Sequence, residues 1–562
     1  MYNPQTMDTI TALIDESCLR NPDRTAFRHK VRGVWQETSY RALRETSDGI
    51  AAGLLRSGFR PGDHAAILAA SSPRWVTVYL GILKAGGVVV PIDVELKEIE
   101  VSHILSHSEA RAVFVDEEGI ELVAGLWEHL PELRLVVRVP GPETPSRPVL
   151  VPAFGPELIP LHVLTDATGA FKAPPPIGKA LILYTSGTTG RSKGAILTHA
   201  NIVSNIRGTA LHLGVDDSVH TLSFLPINHV FEQVCGILIP LSLGGKVSFC
   251  ESLKKLGENL AEVRPTFFVG VPAVYRMILD RIMKRIEGDQ VSRLLFSFPL
   301  SRPLVVCGVR RKLGRGTIFV SGGAALDPAI TAGYRNLGVT VLQGYGITET
   351  SPVIAAESRG ETRLGSVGRV LAGLEVRIDG PDGEGVGEIL VKGPNVMQGY
   401  FKDPDATADV LADGWYRTGD LGRLDRDGFL YICGRAKSLI VTQNGKNIYP
   451  EEVEGEILKS SLVAEVVVYA HRSGQVTEEI RAVIRPDPEA LEEYAARQGK
   501  TLSAGEVEAL VRSEVGRACD RLAPYKRVKK IVIREEDFPK TTTRKIKRFE
   551  VQALLAREHG AG

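Results

Sequence analysis

Leu181-Ile-Leu-Tyr-Thr-Ser-Gly-Thr-Thr-Gly-Arg-Ser-Lys-Gly194 opens as an apolar strand and runs straight into hydroxyls, glycines and a lysine. A loop of this composition can wrap phosphate. Gly187, Gly190 and Gly194 let backbone amides approach anionic oxygens, Thr185, Ser186, Thr188 and Thr189 add hydroxyl donors, and Lys193 adds positive charge. The Gly-x-x-x-x-Gly-Lys-[Ser/Thr] spacing of a Walker loop is absent, which sets P-loop kinases aside.

On either side of this stretch the pattern is α/β. Apolar strand-like runs at 64–70, 86–92, 111–117 and 134–139 alternate with helical stretches such as 73–86, the mark of a parallel sheet with crossover helices. Before them, 7–56 reads as helix, short strand and helix. The same alternation resumes at 181 and runs to about residue 380. Between the two blocks, 140–176 holds ten of the 32 prolines and is expected to be an irregular surface excursion or a sheet edge, because proline cannot donate to a ladder. Residues 382–433 are rich in Gly and Asp with short alternating strands, as in a small twisted β-subdomain. The last 129 residues, 434–562, carry their own strands (465–470, 481–486, 529–535) and helices, enough for an independent α+β module.

The expected fold is α/β: a large domain over 1–436 of mainly parallel sheets with helices, including a β-subdomain at about 360–433, and a small α+β domain over 437–562. A length of 562 residues suits several domains. Lys+Arg 68 against Asp+Glu 67 leaves a net charge of +1, so nothing global favours nucleic acid. Six scattered cysteines without ligand spacing argue against structural zinc or a disulfide framework and suit a reducing cytoplasm. No apolar run approaches the length of about 18 residues that a membrane span needs, and the amino terminus does not read as an export signal. The stretch 290–315 is basic, acid-free and apolar. The favoured reading is a helix packed on the large domain with its basic residues outward; the alternative is weak peripheral contact with a lipid surface.

Further loops carry chemistry. Gly344-Tyr-Gly-Ile-Thr-Glu349 follows a strand and ends in a hydroxyl and a carboxylate, where open α/β sheets bind ligands and where Glu349 can supply an oxygen to magnesium. Ser321-Gly-Gly-Ala-Ala325 permits close approach of a flat base. Tyr416-Arg-Thr-Gly-Asp-Leu421 and Gly434-Arg-Ala-Lys-Ser-Leu-Ile440 offer an aspartate for ribose hydroxyls and an arginine for phosphate or the same sugar. Residues 521–548 hold eleven Lys/Arg against three acids, mostly a solvated face, with one lysine available to an anionic transition state.

In this order and spacing, these segments resemble the adenylate-forming superfamily of AMP-forming acyl-CoA synthetases, nonribosomal adenylation domains and beetle luciferases, over about residues 20–550. Leu225-Pro-Ile-Asn-His-Val-Phe-Glu232 and Asn444-Gly-Lys-Asn-Ile-Tyr-Pro-Glu-Glu-Val-Glu454 look most like the medium- to long-chain fatty acyl-CoA synthetases. The resemblance implies that Thr185 to Lys193 form the phosphate loop. It makes Gly322, Gly323, Ala324, Gln343, Gly344, Tyr345 and Gly346 the adenine cradle. Thr348 would contact the α-phosphate, while Glu349 and Thr188 would be catalytic and hold the metal. Asp420 and Arg435 would take the ribose side, Lys437 the hinge, Gly445 and Lys446 the CoA tunnel, and His229 the acyl and thiol entry. Lys545 would enter for adenylation, with Lys547 its nearest rival.

The implied activity is two half-reactions on one pocket, with ATP, Mg²⁺ and coenzyme A. A fatty carboxylate displaces pyrophosphate from ATP, and the CoA thiol then displaces AMP. Acyl carrier protein loading, another carboxylic acid ligase of the superfamily, and a non-catalytic acyl or nucleotide sensor are the rivals. Neither chain length nor oligomeric state is legible in the sequence.

Overall fold

The alternation of apolar strands and helices builds two large sheets. The computed structural model describes residues 9–141, 156–166, 171–175, 177–185, 192–314, 316–442, 446–473, 476–540 and 546–559. These fall into two compact units. One runs to Leu326 and adds Ile330–Glu375 and Val391–Tyr416; the other comprises Asp327–Ala329, Val376–Leu390 and the chain from Arg417 onward.

In the first unit, one sheet has eight strands. Its order is Gly399–Tyr400, Lys193–Thr198, Lys179–Thr185, Val88–Pro91, His64–Leu68, Ala110–Val115, Leu135–Arg138 and Glu157–Pro160. The central strands run parallel and are buried on both faces, which is why they read as unbroken Val, Ile and Ala rather than as an alternation. Within the proline-rich excursion, Glu157–Pro160 is the outermost strand. The helix Leu161–Thr165 follows it, against the helix Tyr40–Arg56. Gly49 and Gly53 allow that approach, since a Cβ there would lie 2.8 and 2.6 Å from backbone atoms of Thr165 and Leu164.

The other sheet has nine strands, ordered Arg369–Val370, Val353–Ala356, Val341–Gly346, Ile318–Ser321, Phe267–Gly270, His220–Ser223, Lys246–Phe249, Thr25–Val31 and Val34–Ser39. The amino-terminal stretch thus holds a two-stranded hairpin where the sequence suggests one short strand. Phe267–Gly270, Ile318–Ser321 and Val341–Gly346 run parallel and in register; the chain leaves the sheet after Ser321, while the neighbouring strand continues to Gly346, paired antiparallel with Val353–Ala356.

A single apolar core spans both sheets, and the helix Pro73–Lys84 lies within it with every residue buried except Arg74. Its Lys84 is neutralised by Asp15 at 2.7 Å and Asp48 at 2.6 Å, as a buried ammonium requires. Two buried asparagines lock the turn after Gly346. Asn205 donates to the carbonyl of Val353 at 2.8 Å and accepts from its amide at 3.2 Å, while Asn395 donates to the carbonyl of Thr350 at 2.8 Å.

The second unit contains most of a five-stranded sheet (Glu375–Asp379, Gly387–Lys392, Leu411–Ala412, Trp415–Leu424, Leu430–Arg435). It also has a three-stranded sheet of Val463–Ser473, Val476–Pro486 and Lys530–Ile533. The helices Pro450–Ile457 and Ala504–Cys519 supply Val453, Ile457, Val511 and Val515 to its core, where they meet Val466, Val468, Ala482 and Ile484.

Gly346 is the tightest point of the turn toward the candidate site, because a Cβ there would lie 2.1 Å from the carbonyl oxygen of Pro352. At Gly344 the nearest atom would be 3.8 Å away. Gly346→Ala is therefore expected to cost about 1–3 kcal/mol of stability, the usual penalty of overpacking. Thermal denaturation should show a clear drop for Gly346→Ala and little change for Gly344→Ala.

Candidate functional site

The phosphate-loop arms are strands of the eight-stranded sheet. Lys179–Thr185 pairs antiparallel with Lys193–Thr198, and Thr185 opposite Lys193 is the last pair before the loop. Ser186, Gly187, Thr188, Thr189 and Gly190 lie outside the described residues. The Lys193 ammonium lies 3.6 Å from Asp403 and 5.3 Å from the centre of the Tyr400 ring, a cation over an aromatic face.

Tyr400 sits where the two sheets meet. Gly399 and Tyr400 pair with Ile196 and Ala195, and flanking amides extend the seam, Gln398 donating to the carbonyl of Ile196 and Phe401 to that of Gly194. One residue earlier, Met397 donates to the carbonyl of Glu349 at 2.8 Å, and the Tyr400 hydroxyl donates to the Glu349 carboxylate at 3.0 Å. Burial, with the carboxylates of Glu349 and Asp403 nearby, pushes the phenol well above its ordinary pKa, so it stays a donor. Lys193 and Glu349, singled out in separate segments, are thus brought to one tyrosine. Neither Tyr400 nor Asp403 is marked by the sequence reading; the Gly-Tyr pair at 399–400, just before an Asp-Pro helix start, is the only local signal.

The candidate adenine residues are neighbours in space. Ser321 pairs with Gln343, so Gly322, just past its strand end, lies beside Gly344 of the neighbouring strand. Gly322 is buried, and a Cβ on it would lie 2.8 Å from the Phe231 ring; Gly323, at φ +80°, and Ala324 are exposed. Gln343 is held by its amide on the buried Glu357 at 2.9 Å, and Tyr345, Gly346 and Thr348 are half-buried along the turn.

The segment 225–232 turns into a π-helix over Glu232–Leu238, a wide helical form found often at functional sites. Asn228 donates to Asp93 at 3.0 Å, and the Ile227 amide donates to Ser71 at 3.3 Å, which ties the segment to loops of the eight-stranded sheet. His229 is half-buried at the turn opening this helix, its amide donating to the carbonyl of Pro226. Glu232 is fully buried, and its carboxyl occupies the space a Cβ on Gly236 would take. Among the described residues its Oε1 has no hydrogen-bond partner, and burial raises its pKa to about 8 against the opposing pull of the Ser223 hydroxyl.

In the second unit, Asp420 stands opposite Arg435 on paired strands, and their side chains meet at 2.7 Å. Asp420 is buried and Arg435 exposed, and the arginine neutralises the carboxylate. Lys437 is exposed in the single helical turn Ala436–Ser438. Gly445 and Lys545 lie outside the described residues; Lys446 is exposed next to the short strand Asn447–Ile448. The residues that flank 541–545 are fastened on both sides. Lys540 bridges to Ile546 in antiparallel register and pairs with Glu465 at 2.6 Å, while Arg548 pairs with the buried Glu454. Lys547 pairs with Glu550 at 3.1 Å.

Lys193 and Glu349, brought to one tyrosine, offer a polyanion a cation and a metal-bound phosphate an oxygen ligand. Among the described residues no three His, Cys, Asp or Glu side chains gather as a cage for a metal ion. Glu349 is the carboxylate that would offer an oxygen to magnesium, an ion that commonly shares its ligands with substrate phosphates.

The AMP-binding enzyme family matches residues 14–401. The chain is 31% identical over 532 residues to the long-chain-fatty-acid–CoA ligase FadD15 of Mycobacterium bovis, covering 88% of this chain and 85% of that protein. It is also 31% identical over 568 residues to the human long-chain-fatty-acid–CoA ligase 1, covering 92% and 80%. An anthranilate CoA ligase, AuaEII, solved with anthranoyl-AMP, shares the fold at a TM-score of 0.79 and 22% identity over 98% of each chain.

Tyr400→Phe keeps the ring over Lys193 and removes the donor to Glu349. ATP–pyrophosphate exchange should fall roughly tenfold, equivalent to about 1.4 kcal/mol, with the loss concentrated in KM for magnesium–ATP. For Glu232 the raised pKa favours folding in full below the ordinary carboxyl value of 4.5, and that contribution is lost as pH rises through about 8. Melting temperatures between about pH 5 and 9 should decline more steeply in the wild type than in Glu232→Gln, which has no proton to lose.

Proposed function

The chain belongs to the AMP-binding enzyme family, and on that premise we propose that it is an AMP-forming acyl-CoA synthetase for medium- to long-chain fatty acids. The observation carrying the substrate class is the identity of about a third, over most of both chains, with long-chain-fatty-acid–CoA ligases. No helix among the described residues is long and apolar enough to cross a membrane, and the proposed location is the cytoplasm.

In the first half-reaction the fatty carboxylate oxygen attacks the α-phosphorus of ATP, and pyrophosphate leaves with the electron pair of the broken P–O bond. A carboxylate is already ionised near neutral pH, so the protein's task is positioning and charge neutralisation. Lys193 faces the phosphates from the arm of its loop. Glu349, oriented by the Tyr400 hydroxyl, is the proposed metal ligand with Thr188. The magnesium ion, when bound, draws off charge from the phosphoryl oxygens. Gly322 to Ala324 and Gln343 to Gly346 take the adenine, Thr348 the α-phosphate, and Asp420 with Arg435 the ribose. Lys545 is the lysine proposed to stabilise the adenylation transition state.

In the second half-reaction the CoA sulfur attacks the acyl carbonyl and AMP departs. Lys545 has to withdraw for the thiol to reach the anhydride, so residues 437–562 are the proposed mobile domain, pivoting at Lys437 and presenting Gly445 and Lys446 to the pantetheine. His229 lines the entry. Separating the two steps in this way also keeps water from the adenylate.

AMP release measured over acids from acetate to stearate, with aromatic acids included, should peak with a fatty acid and require CoA. Release with acyl carrier protein in place of CoA, or with an aromatic acid alone, would overturn the assignment. Lys545→Ala should lose ATP–pyrophosphate exchange by about 10²-fold or more yet still convert a supplied acyl-adenylate to thioester. Equal loss of both would refute the division of labour.

A further inference from the structure

The helix Glu98–His107 carries His103 and His107 at i, i+4, hence on one face. Their ring centres are 5.4 Å apart, and each ring meets a different arm of the phosphate loop. Nδ1 of His107 lies 2.8 Å from the Tyr184 hydroxyl, one residue before Thr185, and Nε2 of His103 lies 3.3 Å from the carbonyl oxygen of Ser192, one residue before Lys193. Tyr184 and Gly194 form the ladder pair next to Thr185 and Lys193, so both contacts fall where the arms leave the sheet. Phe401 joins the cluster: its ring meets His107 edge to face at 5.7 Å, and its amide donates to the carbonyl of Gly194 at 2.7 Å.

The two contacts make different demands on the rings. A carbonyl only accepts, so Nε2 of His103 carries a hydrogen, as it can in the neutral ring and must in the cation. Burial raises the pKa of Tyr184 well above its ordinary value, so the phenol keeps its proton and donates it to an unprotonated Nδ1 of His107. That hydrogen bond lasts only while His107 is neutral. Burial lowers the His107 pKa from the ordinary 6.5, with His103 and the Lys402 ammonium acting in the same sense. Asp403 and Glu109 oppose them, Glu109 being paired with Lys402 at 2.7 Å. His64, whose ring also meets Phe401, is itself shifted down by burial and donates from Nδ1 to the carbonyl of Ser108. The neutral His107 ring is therefore the form present near pH 7, and the cation forms in acid.

We propose that His103 and His107 are positioning residues for ATP: they set the spacing of the phosphate-loop arms at Tyr184 and Ser192, and protonation of His107 releases the Tyr184 arm, which weakens binding of magnesium–ATP in acid. Thr185 and Lys193 can meet phosphate only from where their arms hold them. The inference rests on the ATP-dependent reading above, since it takes these strands to carry the phosphate loop.

The test is calorimetric binding of magnesium–ATP to the full chain, without acid or CoA, between about pH 8 and 5. His107→Asn keeps an acceptor near the position of Nδ1 and cannot be protonated, so it separates the charge on the ring from the titration of ATP itself. Wild-type Kd should rise about fivefold more over this range than that of His107→Asn. Near pH 7.5, His107→Leu and His103→Leu should each raise Kd, and KM for magnesium–ATP in pyrophosphate exchange, about fivefold with little change in kcat, while His103→Gln, which returns a donor near Nε2, should restore most of the loss. A wild-type pH response no steeper than that of His107→Asn, or wild-type affinity in both Leu variants, would overturn the inference alone. Should the Leu variants fail to fold, the comparison with His107→Asn decides. Absence of ATP binding by the wild type at every pH would instead remove the nucleotide reading and this inference together.

Discussion

The seam at 397–401 is the constraint on which the candidate site depends. The eight-stranded sheet holds the lysine arm of the phosphate loop, and the nine-stranded sheet ends in the turn that bears Glu349. Neither sheet alone brings the two charges to one place. The short strand Gly399–Tyr400 pairs with the lysine arm, and the amide of Met397 holds the backbone of Glu349. Tyr400 then completes the link with a hydroxyl on the carboxylate and a ring beneath the ammonium. Backbone hydrogen bonds set the distance, and the tyrosine fixes the orientation, so the site is organised before any anion arrives.

The polar groups buried around this seam follow the same logic. Asn205 and Asn395 spend their amides on backbone groups of the turn 350–353, where an unpaired carbonyl or amide would cost about 1–3 kcal/mol each. Lys84 is buried between two aspartates. Glu232 differs: among the described residues it has no ionic partner, and burial raises its pKa to about 8 and favours the neutral carboxyl near pH 7. Its widened helix lies next to Phe231, which packs on Gly322, so the candidate acyl entry and the candidate adenine cradle share one wall.

The basic tail shows how tertiary contacts sort residues of one type. Eleven Lys/Arg within 521–548 are indistinguishable by composition. In the folded unit Lys540, Lys547 and Arg548 each meet a carboxylate, and Lys540 and Ile546, which flank residues 541–545, pair in antiparallel register.

Local pattern was enough for the fold class and for picking out the candidate loops. Apolar runs on both faces of a strand, glycines after a strand end and hydroxyls beside a lysine are properties of neighbours in the chain, and elementary stereochemistry interprets them directly. Asp420 and Arg435 were likewise visible as residue types, though only strand pairing made them partners. The division into two sheets and the placement of Tyr400 were decided by the tertiary structure. Tyr400 lies 51 residues from Glu349, and Asn205 lies 148 from Val353. Contacts of that span arise when packing brings distant segments together, and no periodicity within a window of a dozen residues carries a record of them.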